Sequence, residues 1–270
     1  MIRNALIFIF LSAGSLWAGN VTQSTFNQGV TAIPATKGGG SVNCATTELN
    51  QLSLFYTLEE GVDTTTADIS TGTHTGTLVN TPTWLGSGNG KCGNALSFSA
   101  ASSEYITVAN GPVIGVDQNV FTITAWINYT DGTAYMEIYT EGDTTATATL
   151  ELGVNHDATD GNAWAYVNNG TDTDLLQSAD LNLDDGAWHF VVFVQSAVDA
   201  RELYVDGVSR ATGSTSVDYA SGDLDTSSIA RLFRSGATEN TFTGSIDQVR
   251  VYAGRAFTGG EVTALFNAGK

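Results

Sequence analysis

Positive charge is scarce in this chain: ten Lys and Arg stand against 28 Asp and Glu among 270 residues, a formal charge of -18. A surface of that sign repels polyanions, which argues against nucleic acid and acidic membrane surfaces as partners. Cysteine occurs twice, and the three histidines, His74, His156 and His189, are scattered. No zinc-ligand spacing and no Cys-His nucleophile pattern can be built from them. G-x-S-x-G, a phosphate-binding loop and a His-based triad are all missing. Proline and long helix-forming runs are also few, whereas Thr, Gly, Ser, Asn and Asp abound. That is the composition of strands and turns.

Beyond residue 18 no stretch is both long and apolar. Met1 to Ala18 starts with Arg3 and runs ALIFIFLSAGSLW from Ala5 to Trp17, short of the about 20 residues a comfortable membrane span needs. It reads as a secretory signal peptide ending at Ala18. An uncleaved anchor is the competing reading, because Leu16 is larger than the small residue usual at that place. The mature protein is then expected to be secreted or at the cell surface, with no membrane insertion once the signal is removed. Residues 19–51 carry a Gly38–Gly40 run and no periodicity, and read as a leader segment. In an exported protein the pair Cys44 and Cys92 is expected to form one disulfide, tying this leader to the body. Such a loop closure stabilises a fold by about 4 kcal/mol on the chain-entropy estimate.

From Leu52 the pattern becomes alternating. Leu52, Leu54, Tyr56 and Leu58 share a face, and Phe121, Ile123, Ala125, Ile127 and Tyr129 do the same, with Trp126 and the threonines opposite. Ala134 to Asp143 and Thr147 to Asn155 read as two strands divided by Gly142-Asp143. Asn169-Gly170 and Asp206-Gly207 are turn signals. Phe190 to Val194 is apolar on both faces, as a strand buried between two layers should be. Thr258 with Glu261 makes a capping box for a short closing helix that presents Val262, Leu265 and Phe266 on one side and ends at Gly269. In Gly244 to Tyr252, GSIDQVRVY, strict alternation puts Asp247 on one face with Val249 and Val251. A carboxylate among apolar neighbours needs a cation or several N–H donors, so Asp247 is either a metal ligand or a hydrogen-bonded anchor.

Six ordered signatures carry a family likeness. They are Glu59-Glu60-Gly61 through Asp68 to Gly76-Thr77-Leu78; the Gly90 to Phe98 run GKCGNALSF, with its hairpin to Val108; Trp188-His189; Leu203-Tyr204-Val205-Asp206-Gly207; the Ile246 to Tyr252 strand; and the closing helix. Over about residues 52 to 268 the chain resembles the laminin-G-like branch of the concanavalin A-like lectin/glucanase superfamily. The resemblance implies an all-β fold, a two-sheet antiparallel jelly-roll sandwich with a short C-terminal helix, formed by residues 52–270 as one domain.

The same resemblance implies a structural calcium held by Asp247 of the last strand and a loop near the first, where Asp68 is the acidic candidate. Asp68 capping a turn is the competing reading. The acidic loop Asn155 to Asn162 is a second candidate for the ion. Trp164 and Tyr166 share a strand face and could stack on sugar rings, with a core role for Trp164 as the alternative. Related glucanases carry two glutamates four apart with an aspartate midway. Here Glu137 and Glu141 flank Tyr139, so the group that would separate their pKa values is missing. The expected function is non-catalytic recognition of a glycan or extracellular protein. A glucanase using Glu137 and Glu141, and a structural surface or filament subunit, are the alternatives.

Overall fold

The computed structural model describes residues 51–115, 119–130, 135–156, 161–236 and 240–269. The expected signal peptide, the leader up to residue 50, Cys44 and residues 157–160 of the acidic loop lie outside these. The chain enters through β1 (Leu54–Tyr56), then lays down short strands β2 (Thr65–Thr66), β3 (Gly76–Val79), β4 (Thr83–Trp84), β5 (Leu96–Phe98) and β6 (Tyr105–Val108). Longer strands follow: β7 (Phe121–Asn128), β8 (Met136–Gly142), β9 (Thr149–Val154), β10 (Ala163–Asn168) and β11 (Thr173–Gln177). The series closes with β12 (His189–Ala197), β13 (Ala200–Val205), β14 (Val208–Gly213), β15 (Thr226–Ile229), β16 (Gly244–Ala253) and helix α1 (Gly259–Ala268). Among the described residues no helix is long and apolar enough to cross a membrane.

The strands form two antiparallel sheets. Sheet A runs β14-β13-β12-β7-β16-β5-β4, with β1 pairing β16 as well; sheet B runs β11-β10-β9-β8-β15-β6-β3-β2. Their inner faces enclose the main core, to which β7 contributes Phe121, Ile123, Ala125 and Ile127. A second apolar layer lies on the outer face of sheet A, where Trp126, Phe190, Val192, Val194 and Tyr252 meet Val262 and Leu265 of α1. This explains why β12 is apolar on both sides: Val191 and Phe193 enter the first core, and its even-numbered neighbours enter the second. Burying side chains such as Val262 and Leu265 contributes about 2 kcal/mol each, which holds a helix too short to be stable alone. The helix starts as the sequence predicts, with the Thr258–Glu261 capping box formed in both directions.

Two sequence expectations are corrected by the topology. The Gly90 to Val108 stretch is not a hairpin, because β5 pairs with β4 and β16 in sheet A while β6 pairs with β3 and β15 in sheet B. Asp247 does not share a face with Val249 and Val251. Its cross-strand partner is Trp126, while Arg250 pairs with Thr124, so one extra residue is inserted between them. Gln248, at φ 52°, takes up that residue in the left-handed region. Such a bulge reverses the face of everything after it. Val249 and Val251 join the inter-sheet core, and Asp247 and Arg250 turn to the helix side.

Buried polar contacts close the margins of the sandwich. Arg201 on β13 donates to Gln195 Oε1 (2.7 Å), to Asp174 Oδ2 on β11 (3.0 Å) and to the carbonyls of Val198, Thr215 and Val217. A buried guanidinium with this many acceptors ties the two sheets at one side without leaving a donor unpaired. At the end of the β13–β14 turn, His189 lies between two carboxylates, with Nδ1 2.8 Å from Asp206 Oδ2 and Nε2 3.2 Å from Asp185 Oδ1. Asp206 Oδ1 also accepts the Phe190 N–H. The Asp206 contact raises the imidazole pKa above 6.5 against the opposing effect of burial. A group whose folded pKa is raised stabilises fully below its unfolded value and loses that contribution as pH climbs through the folded one. His189→Gln should therefore lower the melting temperature at about pH 5.5 and do so less at about pH 8.5, near and above the ordinary imidazole range. Thermal melts of both proteins at the two pH values read the difference directly.

Candidate functional site

Strand β16 changes neighbours along one edge: Gly244 to Ile246 pair with β5 and Val249 to Val251 pair with β1. Asp247 falls in the gap, fully buried. Its Oδ2 accepts the backbone N–H of Cys92 at 2.9 Å, while Oδ1 has no hydrogen-bond partner. Two residues on, the Asn94 N–H donates to Glu59 Oε2 at 3.0 Å and the Asn94 amide donates to the Glu59 carbonyl. One loop therefore grips two carboxylates through alternate residues. Gly93 between them has φ 83°, and a Cβ there would come 2.3 Å from Glu59 Oε2, so only glycine allows this approach. Burial, and next to it the Glu59 charge, push the Asp247 pKa well up, although the Cys92 and Gln248 N–H groups and Arg250 oppose this. Arg250 itself donates to Gln248 Oε1 and lies over the Phe55 ring.

Asp68 belongs elsewhere. Its carboxylate accepts the N–H groups of Phe55, Ser70 and His74 at 2.9 to 3.1 Å. It bridges Tyr56 on the edge of β1 opposite to Val249, so β1 stands between Asp68 and β16. The structure brings Asp247 together with Glu59 and Asn94, not with Asp68. Asn94 Oδ1 is a second buried oxygen without a partner. Orphaned oxygens beside two mutually repelling carboxylates suit a hard cation. Among the described residues no three His, Cys, Asp or Glu side chains cluster for a metal, so amide and carbonyl oxygens must complete any such shell.

The glutamate pair of β8 is divided between two faces. Glu137 opposes Gly153 and Tyr139 opposes Leu152, so Ile138 is an inserted residue. Glu141 turns inward beside Tyr139. It accepts the Val113 and Ile114 N–H groups (2.8 Å each), the Gly115 N–H (3.3 Å) and the Tyr139 hydroxyl (2.6 Å). Burial raises its pKa, and these donors hold the rise back. Glu137 faces outward with Glu151 of β9. Burial and then the Glu151 charge push Glu137 up, and burial pushes Glu151 to about 7. Two carboxylates on opposite sides of a sheet cannot flank one glycosidic bond, so the Glu137–Glu141 arrangement of a glucanase is not formed.

Trp164 and Tyr166 share the outer face of sheet B, opposite Gly153 and Glu151. Trp164 is only 2 % exposed, its Nε1 donates to the Val154 carbonyl, and its ring packs on Gly153 beside Tyr135 and His156. Tyr166 is the partly exposed member of the pair. Arg234 reaches this face from the β15–β16 connection, with Nε 3.7 Å from Glu151 Oε1. Glu151 and Arg234 escaped the sequence reading. A lone Glu between Leu150 and Leu152 signals only the outer face of a strand, and nothing local points from Arg234 to it. Cys92 is buried; its expected partner Cys44 is outside the described residues.

Residues 100–263, more than half of the chain, match the family model of the Concanavalin A-like lectin/glucanases superfamily. No curated protein matches the sequence. Domain 4 of AbnA, an extracellular GH43 arabinanase from Geobacillus stearothermophilus solved with arabinotriose, is similar in fold at 19 % identity and TM-score 0.60, with 79 % of this chain and 97 % of that one covered. The binding domain of Paraclostridial Mosquitocidal Protein 1 aligns at 14 % identity and TM-score 0.62 over 82 % of this chain and 52 % of that one. The binding domain of botulinum neurotoxin DC, solved with rat synaptotagmin II, aligns at 10 % identity and TM-score 0.62 over the same shares. The chain thus spans about half the length of these toxin domains. Glu141 and Glu137 should respond differently to substitution. Glu141→Ala strands several buried donors and should cost about 3 kcal/mol or more, whereas Glu137→Gln relieves repulsion with Glu151 and should change stability little. Denaturant midpoints of the two variants measure this.

Proposed function

Because the chain belongs to the laminin-G-like branch of the concanavalin A-like lectin/glucanase superfamily, we propose that it is an exported, non-catalytic module that recognises a glycan and is stabilised by calcium. The observation that carries the reading is the match in fold, over 79 % of this chain and 97 % of the other, to a domain solved with arabinotriose. The separation of Glu137 from Glu141 supports recognition over hydrolysis. Glycan arrays with calcium should retain the protein, and soluble β-glucans should release no reducing sugar. Release that disappears in Glu137→Gln would overturn the reading, and retention of extracellular proteins with no glycan would redirect it to a protein ligand.

For the ion, Glu59, Asp247 and the Asn94 side-chain oxygen are the residues that would hold it. Calcium would supply the positive charge that two buried, mutually repelling carboxylates lack. The Cys44–Cys92 disulfide belongs to the same proposal, since it would fix the residue whose N–H grips Asp247. Calcium at a hundredfold excess over Kd should stabilise the fold by about 2.7 kcal/mol, a rise of about 5–10 °C in melting temperature. Chelator should remove that rise. Asp247→Asn and Glu59→Gln should abolish the response, while Asp68→Asn should destabilise equally with and without calcium. Identical wild-type melts in chelator and in calcium would contradict the ion.

A further inference from the structure

We propose that Glu137, Glu151, Arg234 and Tyr166 form a binding site for the hydroxyl groups of a neutral saccharide on the outer face of sheet B. The inference rests on the glycan reading above and names its site. Three atoms on this face, Glu137 Oε2, Glu151 Oε1 and Arg234 Nε, are buried with no hydrogen-bond partner. Glu137 is 0 % and Glu151 4 % exposed. Unpaired polar atoms in such positions are rare in folded proteins and point to a missing partner.

The spacing selects the partner. Arg234 Nε and Glu151 Oε1 are 3.7 Å apart, beyond direct hydrogen-bond reach. A hydroxyl between them accepts from the guanidinium and donates to the carboxylate at once. A carboxylate has no proton for Glu151, and an ammonium has no lone pair for Arg234. Water shares the hydroxyl's dual character, but a saccharide adds a ring to lie against Tyr166, the partly exposed aromatic directly opposite Glu151. Glu137 Oε2, one diagonal step away across β8 and β9, offers an acceptor for a second hydroxyl. Above the raised pKa of Glu151, about 7, its negative charge on this face disfavours a uronate. The Arg234 side chain is 25 % exposed and Tyr166 is partly exposed, so a ligand reaches the face from the side of these two residues.

The test is calorimetric titration of the intact protein with arabinotriose and cellotriose as neutral probes and trigalacturonate as the charged one. Neutral trisaccharides should bind, with the charged one at least about tenfold weaker. Glu151→Gln and Tyr166→Ala should each weaken neutral binding by about tenfold, about 1.4 kcal/mol. Arg234→Lys keeps the charge at a partly exposed position and removes Nε, so it should show the same loss even if a variant in the buried pair fails to fold. Neutral binding left unchanged by Arg234→Lys and Tyr166→Ala would overturn this site while leaving glycan recognition standing. Equal or tighter binding of trigalacturonate would overturn the selection argument. No saccharide binding at all would remove both the site and the reading beneath it.

Discussion

The buried carboxylate of Asp247 lies where one edge of the central strand β16 passes from pairing with β5 to pairing with β1, while its other edge stays paired with β7. Between the end of β1 and the start of β5 along this edge, the Cys92 N–H turns to Asp247 and the Asn94 N–H to Glu59. The arrangement depends on the bulge at Gln248, which brings Asp247 to the helix side while sending Val249 and Val251 into the inter-sheet core. A left-handed non-glycine residue costs about 1–2 kcal/mol. That cost is offset by two valines correctly buried, worth about 1.5–3 kcal/mol each. The apolar core thus dictates the bulge, and the bulge dictates where the carboxylate points.

Much of this fold is legible in the sequence, for definable reasons. Strand β7 is long and strictly alternating, so its inner and outer faces follow from period two alone, and β12 reveals its two covered faces because both sets of side chains are apolar. The capping box of α1 is a local motif and forms as a local motif. What escapes the sequence is one-residue irregularity and long-range pairing. Inserted residues at Ile138 and Gln248 leave no mark on composition, yet each inverts the faces after it, which separated Glu137 from Glu141 and Asp247 from the valines. Strands β5 and β6 are seven residues apart at their near ends and look like a hairpin, but the chain crosses between sheets there. Asp68 was the acid expected to meet Asp247, but its carboxylate is occupied by three local N–H groups.

The two faces of the molecule now divide its polar chemistry. Beside sheet A, Glu59, Asn94 and Asp247 bring together the oxygens of the proposed calcium site and link the loop of residues 92–94 to β16. On the outer face of sheet B, Glu137, Glu151 and Arg234 gather donors and acceptors of both kinds beneath Tyr166, which suits a neutral ligand. Glu141 belongs to neither: it faces the core and organises the backbone of residues 113–115. The three glutamates of β8 and β9, Glu137, Glu141 and Glu151, therefore differ in surroundings because their strands present Glu141 to the core and the other two to the outer face.

The most direct test of the account is a crystal structure of the protein grown in calcium, with anomalous scattering recorded to locate the ion. The account predicts an anomalous peak bounded by oxygens of Glu59, Asn94 and Asp247 at about 2.3–2.6 Å, the range for calcium. Asp247 Oδ1 bound instead to water or to a backbone N–H, with no anomalous peak beside it, would contradict the claim that this gap in sheet A is held by a cation.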